Sequence, residues 1–165
     1  GRGPAENYLD RNAGSMIGLY KSTAEELYFP YVRPQENGHH TDTRWVSLST
    51  GKKGLLIQAD NTIGFNALRN SIEDFDDEEA TGLPRQWSNF TPEQVANHDE
   101  AAAKSVLRRQ HHINDITPRD FVEVCVDLKQ QGVAGYDSWG SRPEPAYTLP
   151  ANREYNWGFT LIPLK

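Results

Sequence analysis

The clearest strand in the sequence is Phe121-Val122-Glu123-Val124-Cys125-Val126-Asp127-Leu128. Successive side chains of a strand point to opposite faces of its sheet. One face of this stretch is therefore wholly apolar and carries Val122, Val124, Val126 and Leu128, whereas Glu123 and Asp127 lie on the other face with Phe121 and Cys125. A strand with one apolar face is typical of a sheet that packs on a core through that face, which predicts an antiparallel β-sandwich.

Other stretches show the same alternation of polarity. Residues 44–48 and 55–59 flank the turn residues 49–54, which predicts a β-hairpin. Residues 155–161 alternate with their aromatic side chains on one side and predict a further strand. The sequence thus indicates an all-β domain that spans residues 1–165.

A central segment, residues 72–118, breaks this pattern and predicts an excursion from the sheet made of loop and one short helix. Thr91 is the expected N-cap, Pro92 the first helical residue, and Gln94 the partner in a capping box. Residues 72–79 are rich in carboxylates but lack the spaced glycine of a calcium loop, so they are interpreted as solvated surface.

The same segment contains three histidines that could indicate a zinc site, His98, His111 and His112. Adjacent histidines on a strand point apart, and no thiolate or carboxylate stands at ligand spacing. The sequence therefore predicts no metal site. The single cysteine, Cys125, excludes an internal disulfide and is expected to be a buried, inert thiol.

Composition excludes several classes of protein. A formal charge of −6 argues against nucleic-acid binding, which requires a basic face. The 165 residues contain no apolar run long enough to span a membrane, so a soluble chain is expected. The start at Gly1, without a methionine, suggests a piece of a longer protein and leaves the cellular compartment open.

The glycine-rich segment Gly132-Val133-Ala134-Gly135-Tyr136-Asp137-Ser138-Trp139-Gly140 follows the clearest strand. An aromatic ring presented on a loop can cover the apolar face of a pyranose, while Asp137 and Ser138 offer hydrogen bonds nearby. The alternative is a tryptophan that packs on its own scaffold, since tryptophan is highly buried on average.

Two motifs near the start of the chain bear on that choice. They are Gly1-Arg2-Gly3-Pro4-Ala5-Glu6-Asn7-Tyr8-Leu9-Asp10-Arg11 and Pro30-Tyr31-Val32-Arg33-Pro34-Gln35-Glu36-Asn37-Gly38. Together with the later glycine-rich loop, they resemble the C-terminal domain of β-galactosidases of glycoside hydrolase family 2. The resemblance runs from residue 1 to the closing strand near residues 159–161.

This resemblance implies a partial galactose-mutarotase-like supersandwich and a parent enzyme that hydrolyses terminal β-D-galactosides, such as lactose, with retention. Retaining glycosidases use two carboxylates about 5–5.5 Å apart. The family carries them on a separate (β/α)8 barrel, so no catalytic residue is expected in this chain and no activity from it alone. The parent is expected to be a homo-oligomer, with magnesium and sodium at its catalytic domain and no cofactor here.

Carried onto this chain, the resemblance makes Trp139 part of the platform for galactoside substrates at the entrance of the active site. Tyr136, Asp137 and Ser138 are grouped with it as candidate substrate-binding residues. Asp137 and Ser138 are expected chiefly to fix the loop by hydrogen bonds to backbone amides. The chain departs from the family pattern at Ala134, where a glycine is usual, and at Tyr136, which adds a second aromatic ring.

The opening motif is interpreted as structural, with ion pairs from Arg2, Glu6 and Arg11 that hold its loop or dock it on the barrel. Residues 30–38 are expected to form a rigid turn whose prolines preset the backbone. Two other interpretations stay open: a stand-alone carbohydrate-binding module, and a purely structural domain in which Trp139 is buried. Because the family places part of this domain upstream, an exposed sheet edge or a self-associating surface is also expected.

Overall fold

The computed structural model describes residues 1–75, 113–137 and 139–165. Within these residues the strands form a two-stranded and a four-stranded sheet, and every strand pairing is antiparallel. None of the helices in these ranges is long and apolar enough to cross a membrane. The all-β, antiparallel sandwich class predicted from the sequence is confirmed.

The elements follow one another along the chain as short and long strands with a few helical turns. The strands are β1 (Arg2–Gly3), β2 (Met16–Ile17), β3 (His40–Thr50), β4 (Lys53–Leu68), β5 (Glu123–Asp127) and β6 (Phe159–Leu164). The α-helix α1 spans Ala24–Leu27, and single 3-10 turns lie at Ile72–Phe75, Ile113–Asp115 and Pro145–Tyr147.

The hairpin predicted around residues 44–59 is confirmed as β3 and β4. Its regular ladder runs from the pair Trp45 and Gln58 to the pair Thr50 and Lys53, so the turn is Gly51 and Lys52 alone and not residues 49–54. Beyond two register shifts the pairing continues to His40 and Phe65. Gly51 has a φ of 68°, a conformation that is open to glycine at little cost.

Strand β4 is the centre of the larger sheet, because three other strands pair with it. β3 lies along one edge, while β6 pairs with residues 54–59 and β5 with residues 64–68 of the other edge. In β5, Val124 and Val126 lie opposite Ala67 and Phe65, whereas Cys125 lies opposite Asn66. The alternation expected for this strand is present, but β5 spans Glu123–Asp127 and not residues 121–128, because its ladder with β4 covers only those five residues. Both faces of β5 are half-buried, and Val122, expected on the apolar face, is 45% exposed.

The core is small and sits where the opening segment covers the second half of β4. Its fully buried apolar residues are Tyr8, Ile57, Ile63, Ala67 and Leu68. Buried polar side chains accompany them, among them Asn7, Asn37, His39 and Thr43. The side chains of Asn7 and Asn37 are hydrogen-bonded to the backbone, as buried polar groups usually are, whereas the nitrogens of the His39 ring have no partner.

The end of the sheet formed by β6 is open. All six residues of β6 are exposed, and Leu161 is 54% exposed. Within the described residues β6 pairs with β4 alone, so its outer edge is free. An exposed sheet edge with apolar side chains was expected, and the structure contains one.

Besides the shorter β5, two further features differ from the sequence predictions. The last strand spans Phe159–Leu164 instead of residues 155–161, because the ladder with β4 ends where Gly158 packs against Asp60; a Cβ on Gly158 would lie 2.4 Å from the Asp60 carboxylate. The described α-helix is α1, at residues 24–27. The helix predicted from Thr91, like most of the 72–118 excursion and the three histidines, lies outside the described residues.

Candidate functional site

The glycine-rich loop of residues 132–140 leaves the sheet just after β5. Its first residue is tied to the 3-10 turn at Pro145–Tyr147, since the Gly132 amide donates to the Tyr147 carbonyl over 2.8 Å. Ala134, Gly135 and Gly140 have φ values of 56°, 85° and 82°. A left-handed conformation is open to glycine at little cost, but it is strained for Ala134.

Trp139 stands at the tip of this loop and is 94% exposed. Tyr136, on the same loop, is 58% exposed. Tryptophan is highly buried on average, so an indole ring held almost entirely in solvent is unusual for a folded chain. The interpretation in which Trp139 packs on its own scaffold is wrong for this chain.

Side chains of the loop hold its own backbone. The Asp137 carboxylate accepts from the Trp139 amide over 2.8 Å, and the Ser141 hydroxyl accepts from the Tyr136 amide over 3.0 Å. The Asp137 bond is the local side-chain-to-backbone contact expected from the sequence. Ser138, the other residue expected to fix the loop, lies outside the described residues.

The base of the loop is held from the opposite end of the sequence. The Asp10 carboxylate accepts from the Val133 amide over 3.1 Å and from the Ala134 amide over 2.8 Å. Gly132 lies so close that a Cβ there would be 2.5 Å from an Asp10 oxygen. Sequence reasoning missed this role of Asp10, although both partners lie in motifs that it had singled out.

The other polar residues of the opening motif hold the motif itself and the second motif. Arg2 pairs with Asp42 over 2.5 Å, which confirms one of the expected ion pairs. The Glu6 carboxylate accepts from the Gly38 amide over 2.7 Å and from the Tyr31 hydroxyl. Glu6 thus joins residues 30–38 to the opening segment through uncharged donors.

The turn of residues 30–38 is fixed mainly by a buried amide. The Asn37 side chain donates to the Gln35 carbonyl and accepts from the Phe29 amide, each over 3.0 Å. Gly38 follows with a φ of 74°. The buried Asn37 amide thus joins the residues on either side of Pro30 and Pro34, while the expectation of a rigid turn preset by the prolines stays a prediction.

Cys125, expected to be a buried and inert thiol, is half-buried in β5. Burial, together with the charges of Asp127, Glu123 and Glu36, raises the pKa of Cys125 to about 11, so the thiol stays protonated and is a poor nucleophile. In the part of the chain that the structure describes, no group of three or more His, Cys, Asp and Glu side chains is placed to hold a metal ion.

Ala134 gives a stability prediction. An L-residue with a φ of 56° is strained by its Cβ, and glycine is not. Replacing Ala134 by glycine is expected to raise the free energy of unfolding by about 0.5–1 kcal/mol. Urea titration of the chain measures this change. Ala151→Gly, in an exposed turn without a left-handed φ, is the matched control and is expected to lower stability slightly; equal losses at both positions would contradict the prediction.

Comparison with known proteins gives one consistent result. The family model for the beta galactosidase small chain matches residues 1–161. A beta-galactosidase of Priestia megaterium is 36% identical over 165 residues, which cover 99% of this chain and 13% of that protein. A beta-galactosidase of Streptococcus thermophilus is 29% identical over 166 residues, with the same coverage of 99% and 13%. The chain therefore spans about an eighth of these relatives' length.

Proposed function

Because the chain belongs to the beta galactosidase small-chain family, we propose that it completes the substrate entrance of a retaining β-galactosidase and supports the catalytic barrel of that enzyme. The reaction is the hydrolysis of terminal β-D-galactosides, including lactose. The two carboxylates of this chemistry stand about 5–5.5 Å apart, one as nucleophile and one as acid and base. They lie in the remainder of the parent protein, so this chain alone is inactive.

The observation that carries the proposal is the exposed Trp139 ring, which is 94% accessible on a loop fixed by hydrogen bonds at its base and its tip. Exposing an indole to water forgoes the apolar burial that the fold would otherwise gain. A flat, apolar and held surface suits the apolar face of a galactoside or of its aglycone. Trp139 binds the sugar by stacking and by excluding water, and it takes no part in proton transfer.

Of the residues next to Trp139, one is proposed to contact the substrate and two to hold the loop in place. The Tyr136 ring is 58% exposed and widens the platform beside Trp139. One oxygen of Asp137 already accepts from the Trp139 amide, so Asp137 serves chiefly to support the loop. Ser138 is proposed to share that supporting role. The parent enzyme is taken to be a homo-oligomer, with magnesium and sodium at its catalytic domain.

Trp139→Ala in the parent enzyme tests the proposal. We expect KM for nitrophenyl galactoside to rise about fivefold to tenfold with kcat nearly unchanged, because an aromatic contact of ~1–1.5 kcal/mol is lost equally from the ground and transition states. Trp139→Phe keeps part of the ring and is expected to fall between. Trp45→Ala, which removes a half-exposed ring from β3, is the matched control. An unchanged KM in Trp139→Ala means that the ring is no platform.

A second candidate function, a stand-alone carbohydrate-binding module, is favoured by one observation: Trp139 and Tyr136 are both exposed on the same loop. Calorimetric titration of the 165-residue chain with lactose separates the two functions. Affinity that is present in the isolated chain and lost in Trp139→Ala favours the module. Absence of affinity in the chain, with a raised KM in the parent variant, favours the entrance platform.

A further inference from the structure

We infer that Asp10 is the residue that positions the loop carrying Trp139, and through it the platform for the galactoside. The inference rests on the function proposed above and adds a residue that makes no contact with substrate. Both Asp10 oxygens are engaged, one by the Val133 amide at 3.1 Å and one by the Ala134 amide at 2.8 Å. Asp10 is therefore a positioning residue.

The turn that carries Asp10 is itself rigid. Tyr8 is only 2% exposed, and its carbonyl accepts from the Arg11 amide over 2.8 Å. The Asn7 amide donates to the His39 carbonyl over 2.7 Å, which ties the turn to the start of β3. The carboxylate thus stands on a turn whose N-terminal side, at Asn7 and Tyr8, is fixed by buried contacts.

The loop is shaped to receive that carboxylate. Gly132 leaves no Cβ in the space where an Asp10 oxygen lies, since such an atom would approach it to 2.5 Å. Successive amides next to a left-handed residue converge on one point and bind anions, and here the left-handed Ala134 has a φ of 56°. Hydrogen bonds from neutral amides to a carboxylate are stronger than those to a neutral oxygen.

The geometry also predicts that asparagine cannot fully replace aspartate at position 10. The two amides are accepted by different oxygens of Asp10, and an asparagine in the same position has its NH2 group in place of one of them, facing an amide that cannot accept. Asp10→Asn should therefore keep half of the bracing, and Asp10→Ala none of it. The tip of the loop closes on itself through Asp137 and Ser141, so its orientation relative to the sheet is set at the base.

The first measurement is hydrogen exchange of peptides from residues 131–141 in the full parent enzyme. We expect exchange at the Val133 and Ala134 amides to rise about tenfold or more in Asp10→Ala and less in Asp10→Asn, because the protecting bonds are lost. Asp120→Ala is the matched control, since Asp120 is fully exposed and its ion pair with Arg69 is long, at 3.7 Å. Unchanged exchange in Asp10→Ala overturns the inference.

The second measurement is steady-state kinetics of the same variants with nitrophenyl galactoside. We expect Asp10→Ala to raise KM about threefold to tenfold with kcat within about twofold, and Asp10→Asn to recover part of that loss. A role through Trp139 requires that Asp10→Ala combined with Trp139→Ala raise KM no further than Trp139→Ala alone. Additive effects, or a fall in active enzyme with KM unchanged, identify a merely structural carboxylate and overturn the inference.

Failure of the platform function and failure of the inference about Asp10 give different results. If Trp139→Ala leaves KM unchanged while exchange still rises in Asp10→Ala, the platform function is wrong and the hold of Asp10 on the loop stands. If Trp139→Ala raises KM but Asp10→Ala alters neither KM nor exchange, the platform function stands and the inference about Asp10 is overturned.

Discussion

Replacing Asn7 by alanine is expected to lower the free energy of unfolding of the chain by about 3–4 kcal/mol. Asn7 is 1% exposed, and its side chain makes four hydrogen bonds. Its oxygen accepts from the Thr41 amide at 3.0 Å and from the Thr41 hydroxyl at 2.6 Å. Its nitrogen donates to the carbonyls of Arg2 at 3.3 Å and Ala5 at 3.1 Å.

The effect is large because the partners of the Asn7 side chain stay buried and lose their hydrogen bonds. Alanine removes all four bonds and leaves the Thr41 amide buried without its partner, and each such unsatisfied group costs about 1–3 kcal/mol. Urea titration of the chain measures the change. Asn152→Ala, in an exposed turn, is the matched control and is expected to change stability by less than about 0.5 kcal/mol. A loss below about 1 kcal/mol in Asn7→Ala would show that the amide does not join the opening segment to β3.

Acid is expected to destabilise the chain through His39. The ring is 1% exposed, neither of its nitrogens has a hydrogen-bond partner, and burial, with a smaller contribution from His40, lowers its pKa from 6.5 to about 4. As the pH falls below 6.5 the unfolded chain binds a proton at this position and the folded chain does not. Stability is therefore fully present above pH 6.5 and is lost down to about pH 4, by about 3 kcal/mol in all.

The measurement is a set of urea titrations between pH 7.5 and pH 4.5 on the chain and on His39→Phe. Phenylalanine keeps an aromatic ring beside Tyr8, whose centroid is 5.6 Å from that of His39, and cannot be protonated. We expect most of the pH dependence in this range to disappear in the variant, with a remainder from His40, whose pKa is lowered chiefly by burial. An identical slope in both proteins would rule out His39 as its source.

The strands of this fold could be predicted because their alternation is local. The β3–β4 hairpin and the two faces of β5 both follow from the order of apolar and polar residues. The first residue of β6 could not be predicted, since the alternation of the sequence already runs through residues 155–157. The ladder with β4 begins only at Phe159, after Gly158 has packed against Asp60. Helix α1 was missed although Thr23 and Glu26 form a capping box, a signature that the sequence contains.

In the candidate site, the exposed Trp139 could be predicted from the sequence, but the residue that holds its loop, Asp10, could not. Trp139 on a glycine-rich turn can be recognised from neighbouring residues and from the family motif. Nothing near Asp10 in the sequence marks it as a partner of the loop, because the contact depends on how the two ends of the chain meet in the fold. Ala134 was recognised as a departure from glycine, but only the structure shows that it keeps the left-handed conformation.

The bond from Asp10 to Ala134 joins residues 124 positions apart. During folding, a contact of such long range forms after local ones. The entropy lost in closing the long loop opposes the contact, and only the completed contact offsets that loss. The β3–β4 hairpin, closed by a two-residue turn, forms early by the same argument. The loop that carries Trp139 thus takes its final position late, once the opening segment and the loop are both in place, so a half-folded chain lacks the surface proposed to bind the galactoside.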